Sequence, residues 1–402
     1  VKKKHYRFKG EKSPAQTRET FEVTIEKIVP GGYGLAHAEG KTIFVSLAAK
    51  GDRAIVRVEK KKGAACFASI VELIEPSPLR TEPRCRYFGR CGGCDFQQMN
   101  YEAQLESKRE IILDCLRRIG KLEPPNEIKV NPSSNEWNYR SRAQWRYDSQ
   151  RNFLGYYERN SHNVCDVVDC PVLTPALQKS LKSLRSLKQS NELPFDVEEF
   201  DAVANDATSL MPEPDFSPTK NINIKIGEFD YTFSAEVFFQ TNYELLPALI
   251  DFAIGDAKGE TALDLYCGVG LFTLPLAKRF RRVVGVESFP QSVLFARQSA
   301  VQMDNISFHC LSVSDWLKEN VEKFDFVLLD PPRAGAESET IESVIRLRPK
   351  RISYVSCDPA TLARDLRMLT DGGFVLEQIA GFDLFPQTHH VETVAKLSLV
   401  SV

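Results

Sequence analysis

Two residues near the C-terminal end have side chains suited to covalent chemistry. Cys357 lies in SYVSCDPATLARDL and Glu392 in LFPQTHHVETVAKL. A thiolate is a strong nucleophile and a carboxylate accepts protons. One type of target requires both. Carbon 5 of uracil attacks poorly, but adding a thiolate to carbon 6 makes the ring an enolate whose carbon 5 can take an electrophilic methyl group. The proton left on carbon 5 must then be removed before the thiolate departs. Cys357 is therefore the candidate nucleophile and Glu392 the candidate base, with His389 and His390 as alternative bases. A lone Cys at a strand end is more often a small buried residue, so the pairing carries the reading.

The methyl group needs a donor site. LDLYCGVGLFT ends an apolar run in a turn containing Gly268 and Gly270, and the following run ends in Glu287. Thr273 stands where a GxGxxG pattern would need its third glycine, which disfavours a pyrophosphate-bearing dinucleotide. S-adenosylmethionine has no pyrophosphate, so a shorter glycine turn suffices, and a carboxylate at Glu287 suits two ribose hydroxyls. Asp330, in LLDPPRAG, would complete the pocket. Arg333 follows the proline pair, where amino-directed methyltransferases carry an aromatic residue. A catalytic Cys directly after the prolines is excluded by the same arginine.

These residues need a scaffold that gathers strand ends. Apolar runs at 261–266, 282–287, 305–309, 324–330 and 350–356 alternate with helical segments, which predicts a doubly wound parallel sheet with its site beyond the carboxyl ends of the strands. FVLEQIAGFDLF and HVETVAKLSLV follow with no helix between them, as a closing antiparallel pair would. Residues 20–76 hold five short β-rich runs separated by glycine turns, the pattern of a small closed barrel of the OB type. Leu105, Ile112, Leu113 and Leu116 predict a helix over 101–119. Residues 132–235 read as irregular strands and loops, with 205–220 as a polar surface excursion.

At 402 residues the chain should hold two or three domains. A net charge of −2 gives no global basic field, so nucleic-acid binding would rest on patches such as Lys2 to Lys12 and Lys60 to Lys62. No apolar run approaches the length of a membrane span and no signal pattern follows the basic start, which predicts a cytoplasmic location without a membrane partner. Ten cysteines in such a chain point to metal binding, catalysis or burial rather than disulfides. Cys85, Cys91, Cys94 and Cys170 supply four thiolates that suit either zinc or an iron–sulfur cluster.

The linked motifs FFQTN, LDLYCGVGLFTLPLA, VVGVES, LLDPPRAG, SYVSCDPATLARD and DLFPQTHHVE resemble the RNA uracil-5-methyltransferases, and the cysteines resemble the iron–sulfur branch of that family acting on 23S rRNA. Gly31, Gly32 and Gly34 resemble the turn of a TRAM domain, an RNA-binding barrel. The resemblance covers nearly the whole chain. It implies a TRAM barrel at 15–77, a central α+β domain with a [4Fe–4S] cluster at 78–236, and a seven-stranded methyltransferase sheet at 237–402. It implies Cys357 as nucleophile and Glu392 as base, with Gln240, Tyr266, Leu271, Glu287, Ser312 and Asp330 contacting S-adenosylmethionine. Leu271 and Ser312 depart from the Asn common at those positions, and Asp358 departs from another Asn. Cys165 would be a bystander, and Cys66, Cys115, Cys267 and Cys310 core or packing thiols. The expected substrate is structured RNA, most naturally 23S rRNA, handled by a monomer. The alternatives are a tRNA uracil-5-methyltransferase or an inactive RNA-binding iron–sulfur protein.

Overall fold

A computed structural model of the protein describes residues 19–194 and 196–400. The Lys2 to Lys12 patch lies outside them. The chain divides into two compact units, one formed by 1–27 and 33–78, the other by 28–32 and 79–402.

The first unit holds β1 (Thr20–Thr24), β2 (Lys27–Val29), β3 (Tyr33–Ala38), β4 (Lys41–Ser46), β5 (Arg53–Lys62) and β6 (Ala65–Glu75). Period-2 alternation turns Phe21, Val23, Ile43, Val45, Ala54 and Val56 into one buried cluster. Five strands are expected here and six are found, because the first run breaks at Ile25 and Glu26, whose N–H groups donate to Asp52 O and Leu35 O. The expected closed barrel is corrected. The strands form one sheet in the order β1–β5–β6–β4–β3–β2, whose two edges, β1 and β2, do not pair with each other.

The second unit opens with a cysteine-bearing loop and α1 (Tyr101–Cys115), whose last turn widens into a π turn over Leu116–Gly120. After β7 (Val130–Asn131) come β8 (Arg142–Asp148), β9 (Phe153–Tyr157), β10 (Val164–Asp166), α2 (Pro175–Gln189), β11 (Glu199–Ala204) and β12 (Thr208–Met211). The stretch 132–235 is thus more regular than expected. Five strands form an antiparallel sheet ordered β10–β9–β8–β11–β12, and α2 packs Leu177, Leu181 and Leu184 against Trp145, Leu154 and Phe200. Thr174 caps α2 by accepting from Leu177 N–H, with Pro175 in its first turn. The supposed excursion at 205–220 contains β12 itself.

A hairpin of β13 (Ile222–Ile226) and β14 (Phe229–Phe233) leads through α3 (Leu246–Ile254) into the large sheet. That sheet is built from β15 (Gly259–Leu265), α4 (Thr273–Ala277), β16 (Phe280–Glu287), α5 (Pro290–Ser299), β17 (Ile306–Cys310), α6 (Val313–Glu319), β18 (Phe326–Leu329), α7 (Ser338–Leu347), β19 (Arg351–Ser356), α8 (Pro359–Asp371), β20 (Phe374–Phe382) and β21 (Glu392–Leu399). The order is β17–β16–β15–β18–β19–β21–β20–β7. β15 to β19 are parallel and β20 and β21 form the expected antiparallel pair. The sheet has eight strands rather than seven, because β7 adds itself parallel to β20. Strand order reverses between β15 and β18, and a crevice at such a switch point is where α/β sheets bind ligands. Among the described residues no helix is long and apolar enough to cross a membrane.

Candidate active site

The carboxyl end of β15 turns sharply. Tyr266 (φ 63°), Gly268 (φ 54°) and Gly270 (φ 91°) all adopt the left-handed region, which is costly for tyrosine. A Cβ on Gly270 would meet Leu274 Cδ1 at 2.8 Å. Glu287, ending β16, ties this turn to the next one. Its carboxylate accepts from Gly268 N–H at 3.1 Å and Phe289 N–H at 2.8 Å. Leu271 is buried, and its carbonyl accepts from Tyr231 OH at 2.9 Å. Ser312 follows β17 and caps α6, accepting from Asp315 N–H and donating to Asp315 Oδ2.

Several buried acceptors here lack partners. Gln240 Oε1 and Asp264 Oδ1 have none. Asp264 is fully buried, and burial pushes its carboxyl up to about 8 even though Thr273 Oγ1 donates to Oδ2 at 2.5 Å. Burial likewise pushes Asp330, just beyond β18, up to about 7. Unpartnered buried acceptors and carboxyls raised by burial suit a cationic ligand rich in donors, and S-adenosylmethionine carries a sulfonium and an ammonium. Asp264 was missed as a candidate, although it stands in the quoted LDLYCGVG run, because a carboxylate inside an apolar strand reads as a tolerated exception.

Cys357 and Glu392 are brought together by strand register. β19 and β21 run antiparallel from Arg351 opposite Ser398 to Ser356 opposite Thr393, so Cys357 and Glu392 occupy the next facing positions. Cys357 is half-buried and directly precedes Asp358, which caps α8 by accepting from Ala360 and Thr361 N–H. Burial pushes the Cys357 thiol up to about 12, aided by the charges of Glu392 and Asp330 and opposed by Arg333. Glu392 is 2% exposed. Burial and the charge of Asp330 hold its carboxyl well above the ordinary range, again against Arg333. The charge of Arg333 therefore acts on both groups, a role its place in LLDPPRAG did not disclose. Its loop is pinned from α8, where buried Asp365 accepts from Ala336 N–H at 3.1 Å and Tyr354 OH at 2.5 Å.

His389 and His390 diverge in their surroundings. His389 Nδ1 lies 2.5 Å from Asp95 Oδ2, while burial pushes His390 down to about 3. A ring that stays neutral at neutral pH can accept a proton only weakly.

Cys85, Cys91, Cys94 and Cys170 line one cavity, together with Arg140, Tyr156 and Gln97. Among the described residues, no three His, Cys, Asp or Glu side chains converge to hold a single ion. Cys165 is buried in β10 and does not line the cavity. Cys66, Cys115 and Cys267 are core thiols, whereas Cys310 is exposed and corrects that expectation.

In the six-stranded unit, Tyr33, Phe44 and Phe67 are partly exposed on one face. Phe44 stacks on Phe67 at 5.3 Å, and Tyr33 stands edge-on to Phe67 at 5.5 Å. Lys60 to Lys62 are exposed beside them on β5, with Lys61 paired to Glu19 at 3.0 Å.

A family model described as tRNA (Uracil-5-)-methyltransferase matches residues 205–399, and a TRAM domain model matches 14–71. An RNA methyltransferase of Aquifex aeolicus (strain VF5) is 34% identical over 94% of this chain and 98% of its own. The 23S rRNA (uracil(1939)-C(5))-methyltransferase RlmD of Shewanella woodyi is 32% identical over 92% of this chain and 93% of its own. The chain belongs to the RNA uracil-5-methyltransferase family. Like that family it is an S-adenosylmethionine-dependent enzyme acting on RNA, with a TRAM region ahead of a mixed α/β methyltransferase fold. The tRNA (uracil-54, C5)-methyltransferase of Pyrococcus abyssi, solved with S-adenosyl-L-homocysteine, superposes with a TM-score of 0.75 at 26% identity, covering 94% of this chain and all of that one.

Proposed function

We propose that the protein methylates carbon 5 of one uridine in 23S rRNA through a covalent adduct between Cys357 and carbon 6. The observation that carries this is the facing of Cys357 and Glu392 across β19 and β21, beside Asp330 and Arg333. The bound S-adenosylmethionine supplies an electrophilic methyl group. Gly268, Gly270, Glu287 and Asp330 are the residues that hold it, with Gln240, Tyr266, Leu271 and Ser312 around them. Arg333 favours the thiolate of Cys357, which adds to carbon 6 and moves the ring's electron pair toward oxygen 4. Carbon 5 then attacks the methyl group, whose bond to the donor sulfur breaks with the electron pair staying on sulfur, so that S-adenosylhomocysteine leaves. Glu392, as carboxylate, takes the proton from carbon 5, the double bond re-forms and the Cys357 sulfur leaves with its electron pair. A carboxyl held above its ordinary range suits a base that must keep the proton afterwards.

The choice of 23S rRNA is supported by the RlmD relatives of similar length, which are named for uracil 1939. The likeness to the Pyrococcus abyssi enzyme favours tRNA as the second reading. We read the cysteine cavity as the seat of a [4Fe–4S] cluster. A cubane takes one thiolate on each of four irons around a volume, whereas zinc draws four ligands to one point. Lining a cavity suits the former, and the half-buried Arg140 in the same lining offsets the negative charge.

A denaturing gel with labelled RNA and methyl donor tests the mechanism and the substrate together. Cys357→Ala should give neither methylation nor adduct. Glu392→Gln should add and transfer but not eliminate, so a methylated protein–RNA complex accumulates with 23S rRNA and not with tRNA. Methylation by Cys357→Ala would refute the mechanism; an adduct with tRNA alone would select the second reading.

A further inference from the structure

The loop between β20 and β21, residues 383–391, delivers Glu392 to the site and forms no helix or strand of its own. It is nevertheless held at every step. Lys108 Nζ donates to Asp383 Oδ1 at 2.5 Å and to Phe385 O at 3.1 Å, and Tyr139 OH donates to Pro386 O at 2.8 Å. Gln387, in the left-handed region at φ 69°, exchanges two bonds with the side chain of Gln104.

The tightest hold comes from the cysteine loop. Asp95 and Phe96 N–H both donate to Gln387 O, at 3.1 and 3.0 Å. The Asp95 carboxylate accepts from His389 N–H at 2.8 Å and from His389 Nδ1–H at 2.5 Å. The His389 ring lies against that of His390, centroids 4.1 Å apart, and His390 Nε2 is 3.5 Å from Arg333 Nη2. The charge of Arg333 in turn acts on Cys357 and Glu392. Asp95 immediately follows Cys94, so a series of contacts runs from the cysteine cavity to Arg333, whose charge reaches the reacting groups.

We propose that Asp95 is a positioning residue for the methylation, acting through His389 on the His390–Arg333 contact and on the point where the loop enters β21 at Glu392. This rests on the reading of Cys357 and Glu392 as nucleophile and base. An irregular loop needs such a clamp, because a displacement of about 1 Å at a reacting group costs on the order of 100-fold in rate. Asp95 can supply it because its two carboxylate oxygens take the His389 main-chain N–H and the ring Nδ1–H at once and so fix the tautomer, whereas an amide donating to Nδ1 would impose the other one.

The test uses the full-length protein with total rRNA from a strain lacking the gene. Asp95→Asn, His389→Gln and their double variant are compared with wild type and with Cys357→Ala. Asp95→Asn should lower kcat by roughly 30-fold while the KM for RNA and for methyl donor stays within about twofold. A slowly resolving protein–RNA adduct should build up, since proton removal is the step displaced. The double variant should be no slower than the worse single one, as for two residues acting through one contact. Unchanged kcat, or losses that multiply in the double variant, overturns the proposal. So does a loss of kcat accompanied by a lower Tm or by lost bound metal, which would make Asp95 part of the scaffold. Activity in Cys357→Ala would instead sink the underlying reading, whatever Asp95 does.

Discussion

A thiol among buried carboxylates is a poor nucleophile until its surroundings change, and Cys357 is such a thiol. Pushed up to about 12, it is protonated at neutral pH, and below that value each pH unit multiplies the thiolate tenfold. Alkylation of Cys357 by iodoacetamide, followed by mass spectrometry of its peptide, should therefore climb about tenfold per unit from pH 7 to 9. A plateau below pH 8 would contradict that. Where Glu392 is ionised its charge raises the thiol, so Glu392→Gln should make Cys357 react faster than wild type at the alkaline end of that range, with the difference shrinking as pH falls and Glu392 takes up its proton. The sign follows from cause: a negative neighbour disfavours a second negative charge, and deleting it releases the thiolate. By the same logic a bound methyl donor would activate the thiol, its sulfonium adding positive charge to a site with carboxylates at Asp330 and Glu392.

At the scale of elements, four cysteines from a loop at 85–94 and a turn at 170 meet because β9 brings the two segments together, with Cys91 bridged to Glu158 and Gly92 N–H donating to Tyr157 O. Anaerobically purified protein should carry about four irons. Cys170→Ala should lose them and Cys165→Ala should keep them, by iron analysis and absorbance; a single zinc would exclude the cluster. Much of this architecture was legible. The parallel strands announce themselves as apolar runs, and the motifs at their ends carry the candidate residues. What was not legible depended on partners distant in sequence. Lys108 sits on the buried face of α1, where helical periodicity predicts an apolar residue, and it is accounted for by Asp383, 275 positions away, together with Phe385 O. Asp95 looked like filler between Cys94 and Phe96 because His389 lies 294 positions on. β7 is too short to announce itself and forms only because β20 has an open edge. The helix α2 was readable from Leu177, Leu181 and Leu184 but was masked by the polar residues between them.

For the whole molecule, substrate selection must involve surfaces beyond the reacting groups. The rings of Tyr33, Phe44 and Phe67 offer faces on which unpaired bases can stack, at roughly 1–3 kcal/mol per base. Phe44→Ala with Phe67→Ala should weaken RNA binding by about tenfold or more in a filter or fluorescence assay, while S-adenosylmethionine affinity stays unchanged. Equal RNA affinity in the variant would remove the TRAM region from recognition. Sheet edges raise a different matter. β20 would otherwise present a row of free amide groups, an invitation for a neighbouring chain to add its own strand. β7 covers Gly381 and Phe382, and Asn131 Nδ2 donates to Gly381 O at 3.0 Å. Farther along, the side chain of Asn126 imitates a strand residue, taking Ile379 N–H at 3.1 Å and donating to Ile379 O at 3.2 Å. Two asparagines thus act as a terminator for the sheet. What that arrangement leaves at the rim of the sheet is a surface with little for a neighbouring chain's strand to grip.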